Sequence, residues 1–402
     1  MTVLSLPIES CAWDAEEAFL EPPRRSGLES AMLQSRKLTR LFMAEAARSY
    51  APFGQHGIGG VDHLDVLAGR DDAFNVGLYE VEDAVVAGHS SLLWQQQVCL
   101  HHDLLSMEKE KLREEDQGRV FVDVVRQRIH GPLKDEQPHE LDAGAIFTDA
   151  MSFNYAHWLT EVLPRVALLS RLEKGQHLPF LVDDGLHPNM HRSLLAVVNP
   201  GQRIFFAPRD RQVKVRRSLV VGAAGYIPYH HRGDRRSDHT HGMFSSEALQ
   251  ILARRVRQRF GSDVLPRPRK IYVKRNSDRR MMRGAELLEA ALHRLGFVTI
   301  EPEKLSFDEQ VRTFQSAEVV VGATGAALAN ILFCRAGTRA IVLMARHVDM
   351  PYQYWARIGA CVGVEVASII CEPMSLQQGL HDDFKLSPTQ LDELMEAVSA
   401  ER

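Results

Sequence analysis

The most regular pattern of apolar and polar positions lies between residues 270 and 344. Residues 270–273 read as a buried strand, 285–295 as a helix closed by Gly296, and 297–300 as a second strand. Ser306-Phe-Asp-Glu309 is a capping box that opens a helix to Gln315. A β-branched run at 318–321 then feeds the turn Gly322-Ala-Thr-Gly325, a short helix at 326–333, and an apolar strand at 340–343. This βαβαβαβ order predicts a Rossmann-like half with right-handed crossovers. Upstream, 179–182, 203–207 and 218–221 read as strands with helix between the first two, again α/β with a partly parallel sheet. A helix is expected at 246–260, a proline-rich connector at 261–268, and a last helix from Pro388 that crosses back onto the first domain. The expected division is an N-terminal extension, partly helical, at 1–60, an α/β domain at 61–260, a Rossmann-like domain at 261–380, and a C-terminal helix at 381–402. Within the extension, 28–50 reads as an amphipathic helix packed on the body, with peripheral membrane contact as the alternative.

Composition changes this picture little. The 402 residues suit two or three domains, and 45% hydrophobic with 25% charged residues excludes a disordered or fibrous chain. A net charge of −4 gives no basic field for nucleic acid. Five cysteines, at 11, 99, 334, 361 and 371, form no CxxC spacing, so disulfides and a zinc site are not expected and a reducing compartment fits. The opening residues show no basic segment followed by an apolar core, so no signal peptide is expected. No run reaches ~18 apolar residues, so no membrane span is expected. These features suggest a cytoplasmic protein, with the inner face of the membrane as a place of contact.

Three stretches carry candidate chemistry. In Asn154-Tyr-Ala-His157-Trp-Leu-Thr-Glu161-Val-Leu-Pro-Arg165, a helix would put Asn154, His157, Glu161 and Arg165 within about 80° of one another. Trp158, Val162, Val166 and Leu169 form the opposite, apolar stripe. A His four residues from a carboxylate suits an acid/base pair; a solvated stripe, with Glu161 paired to Arg165, is the plain alternative. Pro164 should kink the helix and loosen the alignment of Arg165. The glycine turn aims helix N–H groups at one point, where a phosphate is favoured; Gly322 and Gly325 allow close approach and Thr324 is a cap candidate. The basic loop Lys274-Arg-Asn-Ser-Asp-Arg-Arg280 follows another strand of the same sheet. Arg275, Arg279 and Arg280 would thus converge on the same anion, and the arginine fork matches phosphate oxygens. The loop 229–241 is rich in His and Asp, but its ligands lack a fixed spacing, so it reads as a polar loop before a metal site.

Three blocks, NYAHWLTEVLPR, KIYVKRNSDRR and LSFDEQVRTFQSAEVVVGATGAALANILFCRAGTRAIVL, resemble the family 61 glycosyltransferases, a group that includes bacterial capsular-polysaccharide enzymes. With the spacing between them, the likeness covers roughly 145–365. The resemblance implies a GT-B-like architecture of two Rossmann-like domains facing a cleft, acceptor side first and nucleotide-sugar side second. It also implies an inverting enzyme of polysaccharide biosynthesis that uses a nucleotide-sugar donor and a glycan or glycoconjugate acceptor. Asn154 and His157 match the family's Asn-x-x-His, and Glu161 stands at its acidic position. Arg275 matches the Arg of a Ser-Arg pair in which Lys274 replaces the Ser; Arg279 and Arg280 match the basic residues after it. Gly322, Gly325, Ala326 and Asn330 match Gly-x-His-Gly-Ala-x-Leu-x-Asn, with Thr324 where many members have His. The implied reaction is a single displacement. Glu161 is the first candidate for its base and His157 the second, with orienting Glu161 or binding the acceptor as other roles for His157. No Asp-x-Asp occurs in the sequence, so no metal or other cofactor is expected, and the arginines and helix amides would stabilise the leaving diphosphate. Two rivals remain: an NAD(P)-dependent oxidoreductase, disfavoured by the absence of an acidic residue ending the next strand, and a non-catalytic sugar-binding or scaffold protein of the same fold.

Overall fold

The computed structural model describes residues 61–68, 76–95, 98–101, 113–115, 120–123, 128–130, 138–209, 211–227, 242–260, 267–277, 279–347, 350–375 and 381–399. The expected helix at 28–50 and the loop 229–241 lie outside the described residues. The chain divides into two compact units, Met1–Ala248 and Leu249–Arg402. Among the described residues, no helix is long and apolar enough to cross a membrane.

In the first unit the strands are β1 (Val61–Ala68), β2 (Val76–Ala87), β3 (Leu92–Gln95), β4 (Val98–His101), β5 (Arg113–Glu115), β6 (Val120–Asp123), β7 (Arg128–His130), β8 (His139–Ile146), β9 (Phe180–Asp183), β10 (Ile204–Ala207), β11 (Gln212–Val221), β12 (Gly225–Tyr226) and β13 (Met243–Phe244). The main sheet runs β10-β9-β8-β11-β2-β3-β4, with β1 paired to β2. Its β8 to β11 half is parallel, as the α/β alternation predicts. The other half is antiparallel, because β2 pairs with β11, β1 and β3 in that sense. The first unit is therefore a mixed sheet, and the Rossmann-like expectation applies only to its parallel part. The strands β5-β6-β7 form a separate antiparallel sheet.

The helix Ser246–Phe260 starts at the unit boundary, and its side chains pack on the second unit. Phe260 meets Phe307 edge to face at 5.8 Å, and Arg257 donates to the carbonyl of Cys334 at 2.8 Å. Beyond it lie β14 (Lys270–Val273), β15 (Met282–Arg283), β16 (Val298–Ile300), β17 (Val319–Ala323), β18 (Arg339–Ala345), β19 (Glu365–Pro373) and β20 (Phe384–Lys385). The order is β15-β20-β19-β18-β17-β14-β16, and β16, β14, β17, β18 and β19 are all parallel. Every residue of β17 is buried, which is why it reads as an unbroken β-branched run. The capping box forms as expected: Glu309 N–H donates to Ser306 Oγ at 3.3 Å, and Ser306 N–H to Glu309 Oε2 at 2.9 Å. The helix Tyr354–Val362 and the strand β19 add a fourth crossover and a fifth parallel strand that the sequence pattern did not reveal. The C-terminal helix Pro388–Ser399 packs on elements of its own unit. It buries Leu394 and Val398, Gln390 Nε2 donates to Ile370 O, and Ala397 O accepts from Arg339, all within the second unit.

Chain reversal in the second sheet occurs between β14 and β17. Successive strands run outward from that point, and the carboxyl ends there form the crevice where ligands of open α/β sheets bind. The basic loop follows β14 and the glycine turn follows β17, so the topology brings both to this place.

Candidate functional site

In the first unit the candidate helix begins at Asn154, whose Oδ1 accepts the Ala156 N–H at 3.0 Å. Asn154 is thus the N-cap and does not meet His157 or Glu161 through that bond. A single α turn, Tyr155–His157, leads into a π-helical turn, Trp158–Val162, and then into the α-helix Leu163–Leu169. The Leu163 N–H reaches back five residues to Trp158 O. Pro164 comes next without an N–H, so one carbonyl of the preceding turn has no helical donor. Gly225 of β12 closes on this spot: a Cβ there would lie 2.5 Å from Thr160 O and 3.0 Å from Glu161 Cγ. Only a residue without a side chain lets the strand come this close. The apolar stripe behaves as expected, with Trp158, Val162, Val166 and Leu169 fully buried and the Trp158 indole N–H donating to Ser193 Oγ at 2.8 Å.

His157 and Glu161 meet, with Nδ1 2.6 Å from Oε1. With the carboxylate ionised, Nδ1–H donates to it and the imidazole lone pair sits on Nε2. The carboxylate is the more enclosed partner, its side chain 8% exposed against 15% for the imidazole. Arg165 does not join them. The extra residue of the π turn rotates the helix C-terminal to it by about 100° around the axis. Arg165 is instead buried, where Nε donates to Val221 O at 3.1 Å, Nη2 to Ile146 O at 3.4 Å, and Nη1 lies 3.6 Å from Asp149 Oδ2. It ties the helix to the carboxyl ends of β8 and β11, so the expected four-residue polar face reduces to the His157–Glu161 pair.

The same unit holds a buried carboxylate that sequence reading left unassigned. Asp183, at the end of β9, accepts the His89 N–H at 2.5 Å and the Asp149 N–H at 3.0 Å. Burial pushes its carboxyl up to about 6 despite these bonds. It thus ties the end of β9 to the segments that follow β2 and β8, and Ser91 Oγ, accepting the Ala150 N–H at 3.1 Å, links those two segments directly.

In the second unit Arg275 and Gly325 converge as the sequence suggests. A Cβ on Gly325 would clash with Arg275 Nη1. The space expected to admit a phosphate therefore holds a guanidinium, and Gly325 has an extended φ of 173° that any residue adopts. Arg275 is fixed by its Nε donating to Arg279 O at 3.0 Å and Nη2 to Ser277 Oγ at 3.1 Å. Arg280 has φ 57°, the left-handed region that costs a side-chain-bearing residue about 1 kcal/mol or more. Its N–H donates to His381 O at 3.1 Å and its Nη2 to His381 Nδ1 at 3.2 Å. Burial first, then Arg275 and Arg279, bring the Arg280 guanidinium down to about 10; burial alone lowers Arg275. Arg279 is exposed. Among the described residues none of these three arginines pairs with a carboxylate.

The rest of the turn is partly structural. Gly322 packs β17 against its neighbours: a Cβ there would lie 3.0 Å from Val273 Cβ and 3.1 Å from Leu328 Cδ2. Thr324 does not cap the following helix. It is buried, its N–H donates to Leu343 O at 2.9 Å, and its hydroxyl accepts the Trp355 indole N–H at 2.9 Å. Asn330, expected at the donor site, is fully buried and donates to Gln310 Oε1 at 2.7 Å and Ala327 O at 3.0 Å, so it holds the helix in place. That helix, Ala326–Phe333, is 3₁₀, and no side chain caps it. Its first residues, Ala326 and Ala327, are half-buried. Lys274, where the resemblance expects Ser, donates to Glu289 at 3.1 Å and turns away from the arginines. His381 is the residue sequence reading missed; its carbonyl and ring meet Arg280 from 101 positions away in the chain, and no local pattern marks it.

Compared with known proteins, residues 155–341 match the family described as Glycosyltransferase 61. The match takes in both the His157–Glu161 helix and the turn after β17. No curated protein matches the chain.

Proposed function

We propose, from a match that supports membership of glycosyltransferase family 61, that the chain is an inverting glycosyltransferase. It moves a sugar from a nucleotide-sugar donor to a hydroxyl of a glycan or glycoconjugate. The observation that carries the donor half is the trio Arg275, Arg279 and Arg280 at the reversal point of a parallel sheet, beside helix amides and with no carboxylate among the described residues to neutralise it. Such a cluster offers preorganised positive charge to a leaving diphosphate. The acceptor proton goes to the His157–Glu161 pair. Its geometry favours His157 as the group that takes the proton at Nε2, with Glu161 holding Nδ1–H and stabilising the imidazolium. This reverses the order that the sequence suggested. Because arginines and amides face the diphosphate, the reaction needs no metal.

The test is incubation with UDP-, GDP-, CMP- and TDP-sugars, with and without EDTA. Slow hydrolysis of one donor, unchanged by EDTA, is expected. NAD(P)H binding without hydrolysis would establish the oxidoreductase reading instead, and neither would indicate a sugar-binding scaffold. Loss of activity in EDTA that Mn²⁺ restores would overturn metal independence alone.

A further inference from the structure

The ring that meets Arg280 is itself placed to bind. A guanidinium only donates hydrogen bonds, so the 3.2 Å contact from Arg280 Nη2 makes His381 Nδ1 an acceptor. The neutral ring must then carry its proton on Nε2. Backbone bonding fixes the arrangement: Arg280 N–H donates to His381 O, and Met281 N–H to Asp383 Oδ1 at 2.8 Å. The two carboxylates next to His381 in sequence are engaged elsewhere, Asp383 with Arg283 at 2.8 Å and Asp382 with Ser375 at 2.6 Å. Among the described residues, the charged groups that act on His381 are Arg280, Arg279 and Arg275, all of one sign.

Building on the donor reading, we propose that His381 is a further anion-binding group of this site, neutral while the site is empty and protonated when a phosphate group docks. Burial and the three arginines oppose a charge on the empty ring. A doubly charged tetrahedral oxyanion reverses that balance, because an opposite charge within ~4–6 Å favours the cation by about 1–3 pKa units. When the proton arrives it takes Nδ1, and the Arg280 Nη2–H turns to the anion. By linkage, anion affinity then rises as pH falls, by up to ~10-fold for each unit that the anion raises the imidazole.

Sulfate is a suitable probe because it does not itself titrate near neutrality. Its affinity for the full chain is measured by calorimetry between about pH 5.5 and 8, for wild type, His381→Gln and Arg275→Ala. The expected result is wild-type binding that tightens about 10-fold toward the acid end. His381→Gln should bind sulfate with a flat profile, and Arg275→Ala should bind weakly throughout. If His381→Gln keeps the wild-type pH slope, His381 is not the responding group and this inference falls while the anion site stands. If wild type binds no sulfate, or Arg275→Ala changes nothing, the anion site itself is overturned.

Discussion

If His157 accepts the acceptor proton and Glu161 holds it, removing each should cost a different amount. His157→Ala deletes the base, and loss of a positioned base typically lowers kcat ~10²–10⁴-fold. Glu161→Gln is milder. The amide oxygen can still accept from Nδ1–H across the 2.6 Å contact, so the tautomer survives. What is lost is charge. A hydrogen bond to a charged group contributes about 1.5–3 kcal/mol against about 1 for a neutral pair. Glu161 is nearly enclosed, so solvent screens little of that difference. The imidazolium of the transition state should lose about 1–2 kcal/mol, roughly a 5–30-fold drop in kcat. Under this proposal donor affinity should not change, because the groups proposed to meet the diphosphate, Arg275, Arg279 and Arg280, belong to the second unit. The assay is steady-state transfer or donor hydrolysis, with calorimetry for the nucleoside diphosphate. A drop beyond ~10³-fold in Glu161→Gln, with His157→Ala within a few-fold of wild type, would make Glu161 the base and refute this assignment.

Two further predictions concern backbone and charge. Gly325→Ala should fold, since φ there is extended, but its Cβ displaces the Arg275 guanidinium; nucleoside diphosphate affinity should fall toward that of Arg275→Ala, which loses ~1.5–3 kcal/mol, and unchanged affinity by calorimetry would separate Arg275 from the site. For Asp183 the folded carboxyl lies near 6, above the ordinary aspartate value of 3.8, so its contribution to stability is fully present below about 3.8 and is lost as pH rises through about 6. Denaturant titrations should show that limb in wild type and a flatter profile in Asp183→Asn; identical profiles would remove Asp183 as its source.

The second unit was legible because its parallel strands are buried on both faces and read as short apolar runs, and because Ser306 and Glu309 are a complete capping signal. The antiparallel half of the first sheet was not, since short mixed runs at 61–101 carry neither strict alternation nor a turn signature. Within the site, pairs at local spacing were readable and distant partners were not. His157 and Glu161 are four apart and meet; Thr324 looked like a cap, but Trp355, 31 positions on, takes its hydroxyl. The π turn has no local signature beyond Pro164, so nothing in the sequence warned that Arg165 would swing to Asp149. Arg275 and Gly325 converged as expected, yet the glycine makes room for the arginine and not for the ligand.

That last contact bears on what the cluster costs the empty protein. Arg280 is lowered from the ordinary guanidinium value to about 10. At about 1.4 kcal/mol per unit this is an upper figure of ~3 kcal/mol against the folded state, reduced where water reaches the side chain. The sign comes from linkage. A cation whose folded pKa is depressed carries the whole penalty below about pH 10, where it is charged in both states, and sheds it only as pH rises from there toward the ordinary guanidinium value. The penalty is therefore in force at neutral pH, and no described carboxylate offsets it. An anion would. Arg280→Met keeps an unbranched stem while deleting the charge and leaves the left-handed backbone as it is. It should raise the melting temperature of the anion-free protein by a few degrees and, at the same time, shrink the stabilisation produced by added pyrophosphate. Thermal melts with and without pyrophosphate read both effects. A lower melting temperature with the pyrophosphate shift intact would show that Arg280 holds the loop together through His381 and does not serve an anion.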